Sequence, residues 1–286
     1  MGILFQVTVN GLVFAGLVFL LAAGLSVIFG VMDVLNLAHG SFYMLGAYAA
    51  FAVVSRTGSF WLALLLGPLT VGLIGAVMEL VLFRRLYQRG HLAQVLLSFG
   101  FTLVFVDLVR SWFGPRTYGI APPPGLGGAF HVAGANFTKY DVFILGVSLL
   151  VGAALLVGWR LLKVGAVLRA GVSDKEMVGL LGIDLGLVFT LTFAFGAALA
   201  GLGGVVAAPF VAIHPAMDDN VLILALVVVV LGGLGSIEGA LAGSLLIGLA
   251  YSFGTFYLQE FSIAIVFALM AAVLVLRPRG LFGIRT

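Results

Sequence analysis

Long apolar runs separated by short breaks rich in charge, glycine or proline dominate the chain. Runs near Val9–Val31, Gly40–Ser55, Phe60–Phe83, Leu92–Phe113, Asp141–Trp159 and Leu185–Ala208 each approach the roughly 20 residues that a helix needs to cross a bilayer. Val221–Tyr257 is one apolar stretch interrupted by Gly232-Gly233-Leu234-Gly235-Ser236, and two helices joined at a glycine turn fit it best. A last run, Phe261–Leu276, stops at Arg277-Pro278-Arg279, where charge ends insertion and proline ends the helix. The pattern predicts an all-α fold, a polytopic transmembrane helix bundle of about 8–10 spans, nine fitting best. Residues 1–286 read as a single transmembrane domain, with 160–185 as a long loop within it.

Composition agrees with this pattern and excludes a soluble globule. The chain has 286 residues, 63% of them hydrophobic and 9% charged, with 40 glycines and a mean hydropathy of +1.26. Soluble chains carry about 25% charged residues, and a globule with so few would expose apolar surface that drives association. No basic segment precedes the first run, so it reads as a retained span and not a cleaved signal peptide. The basic residues never form a long cluster, which argues against nucleic acid as a partner. A lipid bilayer is the solvent the composition fits.

Placement of the basic residues predicts sidedness. Arg84, Arg85 and Arg89 share one loop, Arg160, Lys163, Arg169 and Lys175 a second, and Arg277, Arg279 and Arg285 the tail. The positive-inside rule makes all three cytoplasmic, and the number of spans between them has the right parity. The N-terminus is then outside and the C-terminus cytoplasmic, with loops Gly114–Tyr140 and Pro209–Asn220 outside.

Small residues recur at four-residue spacing: Ala22, Ser26 and Gly30; Gly196, Ala200 and Gly204; Gly235, Gly239 and Gly243. In lipid, such stripes let helix backbones approach closely and supply the packing. Ionisable residues near the spans are few. Glu79 is close enough in sequence to Arg84 and Arg85 to pair at the interface, and Asp107 and Arg110, three residues apart on one helix face, are expected to neutralise each other as an ion pair. Asp33, Asn36 and His39 lie between two apolar runs, ahead of Gly40. Their polar groups either satisfy a broken helix or line a path, and the residues alone leave both readings open.

Nothing points to catalysis. No glycine is followed by lysine, so the phosphate loop of ATPases is missing; H-E-x-x-H is missing too, and there is no cysteine. The expectation is a non-enzyme without catalytic residues, cofactor or metal. In the second basic loop, Ser173 with Glu176 three residues on fits a capping box, Met177, Leu180 and Leu181 form an apolar edge, and Gly182 offers a stop. A short amphipathic helix follows, either docking a soluble partner or lying on the interface.

Three ordered motifs carry a family resemblance. Ile28-Phe29-Gly30-Val31-Met32-Asp33-Val34-Leu35-Asn36-Leu37-Ala38-His39-Gly40 runs on into Tyr43-Met44-Leu45-Gly46-Ala47-Tyr48; Arg169-Ala170 runs through Leu181-Gly182-Ile183; and Leu231-Gly232-Gly233-Leu234-Gly235-Ser236-Ile237-Glu238-Gly239-Ala240 comes late. The chain resembles permease subunits of branched-chain amino-acid ABC importers of the LivH type, and its Asn-x-Ala-His-Gly form separates it from the LivM type. The resemblance implies an importer with a second permease subunit, two cytoplasmic ATP-binding subunits and an extracytoplasmic solute-binding protein, in a bacterial or archaeal plasma (inner) membrane. It implies translocation of aliphatic amino acids driven by ATP hydrolysis on the separate subunits. The alternatives are urea, amides or other amino acids as cargo, or an ion-coupled carrier using acids such as Asp33 or Glu238.

By carry-over, Arg169, Ala170, Asp174, Glu176, Gly182 and Ile183 are the expected ATPase-coupling residues. Family-motif or pathway candidates are Asp33, Asn36, His39, Gly40, Gly232, Gly233, Gly235, Ser236 and Gly239. Outer segments Pro122–Gly128 and His214–Asn220 are expected to dock the binding protein. The chain departs from the family pattern at Asp218-Asp219, where a glycine is common, at Leu224-Ala225-Leu226 in place of Lys-Ala-Phe, and at Gly243-Ser244 in place of two glycines.

Overall fold

A computed structural model describes residues 2–132, 135–161 and 184–283. Nine α-helices form among these residues: α1 Gly2–Met32, α2 His39–Thr57, α3 Phe60–Val81, α4 His91–Phe113, α5 Lys139–Leu161, α6 Leu185–Ala207, α7 Met217–Gly232, α8 Ile237–Tyr257 and α9 Ser262–Leu276. Seven of them are long and apolar enough to cross a membrane; α2 and α7 are the two that are not. The apolar stretch at Val221–Tyr257 does divide at its glycines, since α7 ends at Gly232 and α8 begins at Ile237. One feature is absent from the sequence pattern: strands β1 Ala129–Val132 and β2 Ala135–Thr138 pair antiparallel in the loop before α5, with Phe130 opposite Phe137.

Helix α1 is apolar on every side, and it is buried on nearly every side from Val13 to Met32. A helix without a polar face belongs in the middle of a bundle, and α1 accordingly packs against α5, α6, α7 and α8. The peripheral helices show the opposite balance. Leu92, Leu149, Leu150, Val275 and Leu276 of α4, α5 and α9 are exposed, as lipid-facing side chains are.

Close approach through small residues holds the centre together. A Cβ added at Gly24 of α1 would lie 2.5 Å from the Gly196 carbonyl oxygen of α6, and one at Gly196 would meet Ile28 and the Gly24 carbonyl. One at Gly30 would lie 2.8 Å from the Gly235 carbonyl. The stripes read in the sequence are therefore packing surfaces, with Gly24 as the α1 residue that meets Gly196.

Two long helices end in breaks and are followed by shorter helices. After α1 the chain passes through residues 33–38 into α2; after α6 it passes through 208–216 into α7. The two units repeat in opposite senses: α1 packs on α8 as α6 packs on α3, while α1 meets α6 and α2 meets α7. One end of the bundle gathers Arg84 beside Thr190 and Gly186, and Arg160 beside Glu238; the other holds the hairpin and Tyr118 bridged to Ile213. Of the basic residues read as lying on one side, Arg84 and Arg160 thus share the arginine-rich end, while Lys163, Arg169, Lys175 and Arg285 fall outside the described residues.

Candidate functional site

The break before α2 turns back into the bundle. His39 Nε2 lies 3.0 Å from the Leu21 carbonyl of α1. Leu21 precedes Met32, the end of α1, by eleven residues, or about 16 Å of helix. The start of α2 is therefore near mid-depth. Non-helical backbone is tolerated there only when its polar groups are met from within the protein, and side chains do so. Asn36 Oδ1 accepts from the Ala38 amide at 3.0 Å, the Leu37 amide donates to Ser98 Oγ at 3.0 Å, and Thr102 Oγ1 donates to the Leu37 carbonyl at 3.4 Å. Asn36, His39, Ser41 and Ser98 are all fully buried.

Asp33 behaves differently. Its φ of +55° is one that aspartate tolerates better than most residues. Its side chain is exposed at the arginine-rich end, where Oδ2 sits 3.5 Å from His91 Nε2. The structure thus separates Asp33 from Asn36, His39 and Gly40, which the sequence motif strings together.

The second break arrives from the other end. Phe210 and Val211 amides donate to the Ala207 carbonyl, and Ile213 exchanges two backbone hydrogen bonds with Tyr118, at 2.8 and 2.9 Å. Helix α7 then opens with Asp218 and Asp219 in its first turn, where the helix dipole favours negative charge. Asp218 is 1% exposed, and its Oδ2 accepts from Ser41 Oγ at 2.9 Å. A Cβ at Gly40 would lie 2.6 Å from the Asp218 carbonyl oxygen and 2.8 Å from Leu222 Cβ. The two helix starts therefore touch inside the bundle. Although His214–Asn220 reads as an outer loop, Asp218 faces the interior, while Asp219 and Asn220 are exposed.

The late glycine motif lies elsewhere. Gly232 and Asp218 are fourteen residues apart on α7, about 21 Å. Gly233 and Gly235 have φ of +107° and +77°, which L side chains rarely adopt. Gly235 presses on Gly30, and Ser236 Oγ caps α8 by accepting from the Gly239 amide at 2.9 Å. Leu281 and Phe282 amides donate to the Leu231 and Gly232 carbonyls, both at 2.9 Å. The motif is a joint of α1, α7, α8 and the tail at the arginine-rich end.

Polar groups at that end are paired. Buried Glu79 accepts from Tyr87 Oη at 2.7 Å and from Thr190 Oγ1, and lies 3.8 Å from Arg84 Nε. Arg160 donates to Glu238 Oε1 at 2.8 Å. Asp184 caps α6 through the Leu187 amide at 3.2 Å. The expected coupling residues Arg169, Ala170, Asp174, Glu176, Gly182 and Ile183, and the capped helix around Ser173, fall outside the described residues. Asp107 and Arg110 are both exposed and are not among the ion pairs of the described residues. Sharing a face leaves each free to extend outward.

Sequence reasoning missed the buried polar stripe Gln94, Ser98 and Thr102 of α4, two of which, Ser98 and Thr102, reach the first break at Leu37. Its signal was present: polar residues at four-residue spacing in an otherwise apolar span. The partnership of Ser41 with Asp218, 177 positions apart, had no local signal.

Seven apolar helices and two short ones that begin at mid-depth define a multi-pass membrane protein with polar backbone sheltered in its core, as transporters have. Residues 7–276 match the family described as branched-chain amino acid transport system / permease component, and the chain belongs to that family. It is 30% identical over 295 residues to the high-affinity branched-chain amino acid transport system permease protein LivH of Salmonella typhimurium, covering 96% of this chain and 94% of that protein. Similarity to BraD of Pseudomonas aeruginosa, of the same description, is 29% over 292 residues, with 97% and 95% covered. Similarity to LivM of Salmonella typhimurium is 30% over 291 residues, with 92% of this chain but 67% of LivM covered. No solved structure matches the chain.

Proposed function

We propose that the chain is one of two permease subunits of an ATP-driven importer of branched-chain, aliphatic amino acids. The observation that carries this reading is the meeting of two re-entrant helix starts at mid-depth, where Ser41 of α2 binds Asp218 of α7. Such joints let two halves of a bundle rock about a fixed central point, as alternating access requires. Likeness to both LivH and LivM supports a paired permease. Clustering of Arg84 and Arg160 at one end supports a cytoplasmic arginine-rich face, with the N-terminus outside and the C-terminus inside.

Of the acids named for an ion-coupled carrier, Asp33 lies beside His91 and Glu238 pairs with Arg160 at the arginine-rich end, which leaves buried Asp218 as the acid such a carrier would use. Energy comes instead from separate ATP-binding subunits docked at residues 160–185, and a secreted binding protein delivers the cargo. The whole chain acts as one permease domain in the plasma membrane and carries out no chemistry on its cargo.

The test is reconstitution of the full importer in liposomes with radiolabelled leucine. Uptake that needs ATP and the binding protein and survives an uncoupler is expected; uptake driven by an ion gradient without ATP overturns the reading. Replacing Asp174 and Glu176 with lysine is expected to reduce co-purification of the ATP-binding subunits about tenfold. Unchanged co-purification and transport remove the coupling assignment.

A further inference from the structure

We propose that Asp218 is the residue that receives the ammonium group of the amino acid in transit, a reading that rests on the import function above. Asp218 is buried, and besides Ser41 only the amides of its own helix start, those of Asp218 and Asp219, reach its carboxyl. Oδ2 accepts from Ser41, whereas Oδ1 has no hydrogen-bond partner. No cationic side chain pairs with it among the described residues. A buried carboxylate with an empty oxygen and no counter-ion is costly, and the dipole at the start of α7 offsets only part of that cost. A cargo bearing a positive nitrogen supplies what is missing.

Two other buried polar atoms at the start of α2 also lack partners. The Leu21 carbonyl can only accept, so His39 Nε2, 3.0 Å away, carries the proton. The other nitrogen of a neutral imidazole is an acceptor, and Nδ1 has no partner and is buried. Asn36 Oδ1 is taken by the Ala38 amide, which leaves its Nδ2 donor unpartnered and buried. The start of α2 thus leaves one acceptor and one donor without partners, and Asp218 of α7 leaves a second acceptor. An α-amino acid brings three ammonium donors and a carboxylate acceptor. A deaminated acid lacks the donors, and urea or an amide lacks the charge that Asp218 would neutralise.

The test compares Asp218→Asn, Asp218→Glu and Ser41→Ala in the reconstituted importer. Asparagine keeps an acceptor for Ser41 and removes the charge; alanine at 41 removes the hydrogen bond and keeps the charge. Asp218→Asn is expected to lower leucine uptake per ATP hydrolysed about tenfold or more, with subunit assembly retained. Asp218→Glu, which keeps the charge, is expected to lose less than Asp218→Asn, and Ser41→Ala, which loosens the contact between α2 and α7 but keeps the charge, to fall between Asp218→Asn and the unaltered importer. Normal uptake by Asp218→Asn overturns the proposal, and an equal fall in Asp218→Asn and Ser41→Ala reassigns Asp218 to holding α2 in place. Uptake by the unaltered importer that an uncoupler abolishes at constant ATP makes Asp218 a proton carrier and also overturns it.

A measurement without variants covers the case in which Asp218→Asn does not assemble. Thermal stabilisation of the detergent-solubilised importer, without binding protein, is compared for 3-methylbutylamine and 4-methylpentanoate, which keep the ammonium and carboxylate ends respectively. Stabilisation by the amine alone supports the proposal; stabilisation by the acid alone, by both equally or by neither overturns it. If the unaltered importer takes up no leucine with ATP, the import reading itself fails, which is distinguishable from normal uptake in both the unaltered importer and Asp218→Asn.

Discussion

Before α2 the chain turns back through residues 33–38, and, apart from backbone bonds of Asp33 to Phe29 and His39 to Asn36, side chains meet its amides and carbonyls: Asn36 from within the turn, Ser98 and Thr102 from α4. Before α7 it turns back through 208–216, and backbone meets backbone, in the turn at Ala207 and in the bridge to Tyr118. The difference follows from what lies beside each break. The first is walled by α4, whose own amides and carbonyls are engaged in the helix, so only side chains can reach across. The second passes a loop whose main chain is free to pair. Equal depth is thus reached by a break sensitive to side-chain identity and by one sensitive to main-chain shape.

The largest effect is expected where the two breaks touch. Gly40→Val would drive a side chain into the Asp218 carbonyl and Leu222, costing at least about 3 kcal/mol and abolishing a monodisperse peak in size-exclusion chromatography. Gly100→Val on α4, where a Cβ meets open space, is expected to purify normally.

His39→Ala comes next, at about 3 kcal/mol, because it removes a buried ring together with the hydrogen bond to Leu21. His214→Ala in the second break removes a weak contact to the Ala216 amide and costs less than about 1 kcal/mol. Similar melting temperatures for the two variants would erase the contrast. Tyr118→Pro deletes the amide that donates to Ile213 and is expected to cost about 2 kcal/mol. Tyr118→Phe, which keeps that amide and loses only the hydroxyl bond to Phe113, costs about 1 kcal/mol or less. A reversed order would mean that side chains hold the second break as well.

Ser98→Ala is the mildest, about 1 kcal/mol. It strands the Leu37 amide, and faster hydrogen exchange at Leu37 with little change at Ile213 is the readout.

Helix positions were legible because lipid imposes a length and a polarity that any span must meet. The run at Phe60–Phe83 became α3, Leu92–Phe113 became α4, and the glycine turn after Gly232 appeared where it was read. Boundaries moved where polar residues carry helix. Helix α7 starts at Met217 and not at Val221, because Asp218 and Asp219 suit a helix N-terminus even though they interrupt an apolar run. The hairpin was missed since its four-residue strands are too short for a clear alternation. Of the candidate residues, Gly40 meets Asp218, Asn36 and His39 are buried in the same break, Asp33 stands apart at the arginine-rich end, and the glycine motif proves to be a joint.

By itself, the sequence determined the membrane setting, the order of the apolar helices among the described residues and the family. Each follows from composition or from patterns confined to one span, and the bilayer acts on every span alike. Tertiary structure alone decided the depth at which α2 and α7 begin, the pairing of Ser41 with Asp218, and which buried atoms are left without partners. Those properties depend on distances between segments far apart in the chain, and the physics that sets them is the packing of glycine against glycine across helices.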